Sequence, residues 1–111
     1  MSSYPDLHLY IGGQWRKTAE ELPVVNPATE EVIARLPHAS IADLDDALEA
    51  AQAGFAVWRR TPPRTRSDII TRAAALMRSR QEEIAQTITA EHGKPLTQAR
   101  LEVIRGAEFF E

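Results

Sequence analysis

The sequence contains no cysteine. Disulfides, thiolate metal sites and a cysteine nucleophile are therefore excluded within its 111 residues. Long apolar runs are missing as well. No stretch approaches the roughly 20 consecutive apolar residues that a bilayer span requires, so no membrane partner is expected. The opening "MSSYPDLHLYIGG" has no basic segment followed by an apolar one, and it does not read as a secretory signal. A cytoplasmic location follows as an expectation. Positive charge is also short: the net charge is −3, which offers no general electrostatic case for nucleic acid. Histidines number three, His8, His38 and His92, and their spacing matches no pair of metal ligands. Glycine is scarce, and what there is makes no phosphate loop. Gly12-Gly13 lacks both the G-x-G-x-x-G spacing and a following helix, and "GKP" at 93–95 falls short of a Walker loop.

What remains is ordinary globular composition, 43% hydrophobic and 26% charged. A chain of this length is expected to bury about two thirds of its unfolded surface around one modest core. Residues 7–17, "LHLYIGGQWRK", set Gly12-Gly13 between runs of β-favouring residues. This is the pattern of a hairpin with a type I′ turn, whose two central positions need positive φ. A second extended region, "PVVNPATEEVIARLP", turns at Asn26-Pro27-Ala28-Thr29. Residues 1–39 thus read as an antiparallel β element that needs something to lie on, since isolated hairpins are marginal in water.

From Ser40 the period changes from two to about 3.6. Ser40 with Asp43 reads as a capping box, and Asp43, Asp45 and Asp46 suit the positive end of a helix. Leu44, Ala47, Leu48, Ala51, Phe55 and Trp58 mark one apolar stripe, ended by Arg59 and Arg60. After "TPPRTRSD", Ile69, Ile70, Ala73, Leu76 and Met77 mark a second, with the later proline suited to the first helical turn. Ile84, Thr87 and Ile88 mark a third, and the pattern leaves open whether it belongs to the same helix. Gly93 is placed to end that helix. Thr97 is expected to cap a fourth, carrying Ala99, Val103, Gly106 and Phe110. The fourth pattern is still running at Glu111, which reads as a chain interrupted within an element.

Candidate sites are few. Arg59, Arg60, Arg64 and Arg66 around the prolines read as helix-end and carboxylate-pairing residues rather than a phosphate patch. Lys94 has no acid–base partner assignable from the sequence and reads as a surface lysine. From the residues alone the architecture is α+β and mainly helical, a β-hairpin element followed by three or four amphipathic helices, and no function follows from it.

The ordered series "YIGGQW", "NPATEEVIA", "DALEAAQAGFAVWRR", "EHGKPL" and "ARLEV" closely resembles the amino-terminal part of the NAD(P)-dependent aldehyde dehydrogenase superfamily. The resemblance runs from about Leu9 to the last residue, and the "GKPLTQARLEV" ending is most similar to the succinate-semialdehyde dehydrogenase branch. It implies an α/β fold of which residues 40–111 form the helical segment of an incomplete cofactor-binding domain. It implies oxidation of an aldehyde to a carboxylic acid with reduction of NAD or NADP, in an enzyme that is a homo-oligomer. A cysteine thiolate, an oxyanion-binding asparagine and a glutamate do that chemistry in the family. None of them is assigned here, so no catalytic or cofactor-binding residue is expected in the chain, and the chain alone is expected to be inactive. The resemblance further implies a structural Na+ or K+ held by oxygens of Val24, through its backbone carbonyl, and Glu91. The other reading is a free-standing helical interaction domain derived from the family, binding a partner through its apolar stripes.

Overall fold

The computed structural model describes residues 4–111. Two short strands open the chain, β1 (Leu9–Ile11) and β2 (Gln14–Arg16), paired antiparallel with Ile11 opposite Gln14. Gly12 and Gly13 stand at φ 59° and 80°, the left-handed pair that this two-residue connection requires. A second antiparallel pair follows, β3 (Glu21–Val25) and β4 (Val32–Pro37), with an irregularity between Val24 and Val25. Its turn is organised by Asn26, whose side-chain oxygen accepts the Ala28 N–H and whose carbonyl accepts the Glu30 N–H. The two pairs are separate sheets.

Four helices complete the chain: α1 (Ile41–Trp58), α2 (Pro63–Ser79), α3 (Gln81–His92) and α4 (Leu96–Glu108). The expected capping box is present at α1. The Ser40 hydroxyl oxygen accepts the Asp43 N–H at 3.1 Å, and the Asp43 carboxylate accepts the Ser40 N–H at 2.9 Å. Pro63 occupies the first turn of α2, where its missing N–H costs nothing. The helix question is resolved at Arg80, whose φ of −104° and ψ of 18° break the ladder between α2 and α3. Gly93 ends α3 at φ 79°, its N–H donating to the Thr89 carbonyl.

At α4 the expectation is corrected: the cap is Pro95, not Thr97, and no side chain caps the helix. Pro95 is extended at ψ 139°, and its carbonyl accepts from Gln98 and Ala99, so the helix starts at Leu96, ahead of where a Thr97 cap would start it.

The packed centre is small. Ala85 of α3 meets Ala99 and Val103 of α4, with Ile84, Ile88 and Leu96 against them, while Ala74 of α2 and Ala107 of α4 are buried apart from this cluster. Alanine at Ala99, Val103 and Ala107 spacing lets helices approach closely but buries little area. Among the described residues no large side chain is fully buried. The apolar stripe of α1 has no core beneath it: Leu44, Leu48 and Phe55 are each more than half exposed, and α1 buries no residue. On α2 the stripe is shifted, for Ala74 is the buried residue while Ile69, Ile70 and Leu76 face outward. The accessible surface is 8568 Å², against about 6,100 Å² for a self-contained protein of this mass. Far less is buried than the composition allows. The molecule is a plate measuring 48 × 35 × 17 Å, little more than one helix thick.

Candidate functional site

The β3–β4 turn and the end of α3 meet at one point. A Cβ built on Gly93 would lie 2.9 Å from Pro27 Cγ, so the absence of a side chain at Gly93 is what lets the turn lie against the helix end. A groove of about 360 Å³ runs beside this contact, lined by Asn26, Gln86, Thr89, Ala90, Gly93 and Leu96 among others. The Thr89 hydroxyl is buried there with no hydrogen-bond partner.

The two residues singled out as cation ligands stand on these two elements. Val24 lies half-buried on β3 opposite Ala34, one residue before the irregularity. Glu91 is exposed in the last turn of α3, and its carboxylate accepts a hydrogen bond from the Tyr4 hydroxyl. No sequence signal pointed to Tyr4, because the pair is 87 residues apart and neither belongs to a motif that names the other. Among the described residues no three His, Asp or Glu side chains cluster as a metal site.

The remaining candidates are dispersed. His38 meets Glu20 at 3.3 Å, His8 lies edge-on to Trp15, and His92 sits at the end of α3. Lys94 is half-buried and donates to Glu102 of α4, and this bond holds the Glu102 carboxyl below its usual range. Arg59 closes α1 and lies over the Phe55 ring, 5.6 Å from its centroid. The carboxylate partners expected for Arg59, Arg60, Arg64 and Arg66 are absent among the described residues. The Arg66 Nε is buried without a partner. The ion pairs lie elsewhere, Arg100 with Glu82 at 2.7 Å joining α4 to α3, and Arg78 with Glu111 at 2.6 Å. Hydrogen bonding to Arg100 lowers the Glu82 carboxyl, and hydrogen bonding to Arg78 lowers that of Glu111.

Among the described residues this arrangement assembles no nucleophile–base pair. What the structure does offer is surface. Leu44, Leu48 and Phe55 of α1, with Ile69, Ile70 and Leu76 of α2, are large apolar side chains left open on two helices. The model of the aldehyde dehydrogenase family matches residues 15–111. The chain belongs to the aldehyde dehydrogenase family. A malonate-semialdehyde dehydrogenase of Shouchella clausii is 43% identical over 104 residues, 92% of this chain and 21% of the relative. The fold agrees. A 1-pyrroline-5-carboxylate dehydrogenase of Thermus thermophilus superposes with a TM-score of 0.93 at 36% identity, over 98% of this chain and 22% of that one. An NAD-dependent benzaldehyde dehydrogenase of Corynebacterium glutamicum does so with a TM-score of 0.86 at 38% identity, over 99% and 24%. The chain thus spans about a fifth of the length of the relatives it matches.

Proposed function

We propose that this chain is the leading structural segment of an aldehyde dehydrogenase that oxidises a short semialdehyde to its acid with NAD or NADP as hydride acceptor. The observation that carries the reading is the family match across residues 15–111 of a chain with no cysteine. In this reading residues 1–39 form the β element and residues 40–111 the helical flank of the cofactor-binding domain. The open faces of α1 and α2 are then inner surfaces. The thiolate, the oxyanion donors and the cofactor groove come from outside these residues. In this reading the enzyme is a cytoplasmic homo-oligomer.

The structural cation belongs to the same proposal. The Val24 carbonyl and the Glu91 carboxylate are hard oxygens on the two elements that Pro27 and Gly93 hold together. They supply only part of a coordination sphere, since a hard cation gathers several oxygens. A thermal melt of the assembled enzyme in K+ or Na+ against choline checks this, with Glu91→Gln expected to remove the cation dependence.

The experiment for the main reading is complementation. The chain is mixed with the remaining portion of the Shouchella clausii relative, and aldehyde-dependent reduction of NAD or NADP is followed with malonate semialdehyde. The chain alone is expected to give no turnover and the mixture to give it. A mixture that associates stably yet oxidises no aldehyde would count against the assignment.

A further inference from the structure

The strands β1 and β2 and the helix α1 make their main packing contacts with one another. Helix α1 packs chiefly on β1, whereas α2, α3 and α4 pack on one another. Gly12 brings the hairpin turn onto α1, where a Cβ would stand 3.6 Å from that of Ala50, an ordinary contact distance. The polar tie is Arg16. Its Nη1 donates to Asp46 at 2.7 Å and lies 3.4 Å from Asp43, bridging the end of β2 to the first two turns of α1. Nothing comparable joins α1 to α2. The end of α1 closes on itself, with the Thr61 N–H donating to Trp58 and its hydroxyl to Val57. Pro62 and Pro63 then follow, and neither has an N–H with which to tie the link to a neighbour. On the other side, the segments entering β3 and leaving β4 meet through the His38 N–H and the Glu20 carbonyl. A cleft of about 590 Å³, lined by residues 17–20 and by His38 to Ile41, opens between this root and the start of α1.

We infer that β1, β2 and α1 form a separable arm, rooted at residues 17–20 and 38–40 and latched internally by Arg16 on Asp46. The arm swings as a unit against the plate of α2, α3 and α4. The open stripe of Leu44, Leu48 and Phe55 is carried by its moving part. The latch keeps α1 on the hairpin while the arm moves, so the stripe is presented in one orientation before anything covers it. Low burial and few long-range contacts are the features from which locally opening units are drawn.

Hydrogen exchange of the 111-residue chain, at a concentration where sedimentation shows it monomeric, tests this, read peptide by peptide in the wild type, Arg16→Met and Asp46→Asn. Asp43 is left intact because it also caps α1. Amides of residues 41–58 are expected to exchange at least about tenfold faster than those of residues 96–107, reflecting opening below the global limit. Each variant is expected to speed exchange in residues 41–58 by up to about fivefold, the range of an exposed ion pair, and to leave residues 81–107 unchanged. The double variant is expected to add nothing to the singles, the signature of one shared interaction. Raised salt is expected to mimic the substitutions in the wild type alone. Equal protection in α1 and α4, whether high in both or absent in both, overturns the arm. Additive effects, or effects spread over α3 and α4, overturn the latch.

Discussion

Gly93 is constrained twice, by its left-handed φ of 79° and by Pro27 Cγ at 2.9 Å from where its Cβ would be. Gly93→Ala is therefore expected to destabilise the chain by more than about 1 kcal/mol in urea, the cost of forcing a side chain into that conformation. Pro27→Ala in the same background is expected to recover the steric part and leave the conformational part. Full recovery would show that φ is not the constraint. Asp43 is constrained by charge. Its carboxyl is held below the usual range first by the Ser40 hydroxyl, then by the Ser40 N–H and by Arg16. A carboxylate depressed on folding stabilises fully above the ordinary aspartate range of about 4 and ceases to do so as pH falls through the lower, folded value. Carboxyl titration by NMR is expected to show the Asp43 midpoint rise in Ser40→Ala, and rise less in Arg16→Met. The reverse order would make Arg16 the main partner. Neither the Tyr4–Glu91 bond nor the Arg16 latch was legible in the sequence, because both join residues whose spacing carries no periodic signal.

Local chemistry made most elements readable. Gly12-Gly13, the Asn26 turn, the Ser40 box, Pro63 and Gly93 each act within a few residues, and each is where the pattern placed it. The pattern misled at α4, where Thr97 offered the better cap by type but the carbonyl of Pro95 had already taken the first helical bonds. At α1 the pattern found the helix and its apolar face, and periodicity marks the face that a helix will bury without saying what buries it. The cation pair Val24 and Glu91 came from family likeness alone, with no signal in spacing or charge. Gly106 of α4 gives an element-scale test. A Cβ there would stand 3.0 Å from Met77 Cε, the end of a flexible side chain. Alanine favours a helix interior over glycine by about 1 kcal/mol, so Gly106→Ala is expected to stabilise α4 on α2 by about 0.5 kcal/mol net in urea. A loss of stability would mean that Met77 has no room to yield.

The whole molecule exposes 8568 Å² in a plate 17 Å thick, and large apolar side chains stand open on α1 and α2. Isolated, the chain is expected to associate at micromolar concentration in sedimentation velocity, because patches of this kind seek cover. Leu48→Glu with Phe55→Glu is expected to disperse it, while the same changes are expected to weaken complementation of the enzyme. A monodisperse wild-type chain would show that the open stripe is not an inner surface. The thinness of the plate also has a calorimetric meaning. The heat-capacity increment of unfolding comes from apolar area newly wetted, about 1.5 kcal/mol/K for an ordinary domain of this length. A chain whose Leu44, Leu48, Phe55 and Leu76 already meet water has less left to wet. Its stability curve is correspondingly flatter than that of a self-contained domain of the same length, and it gains curvature once those side chains are covered.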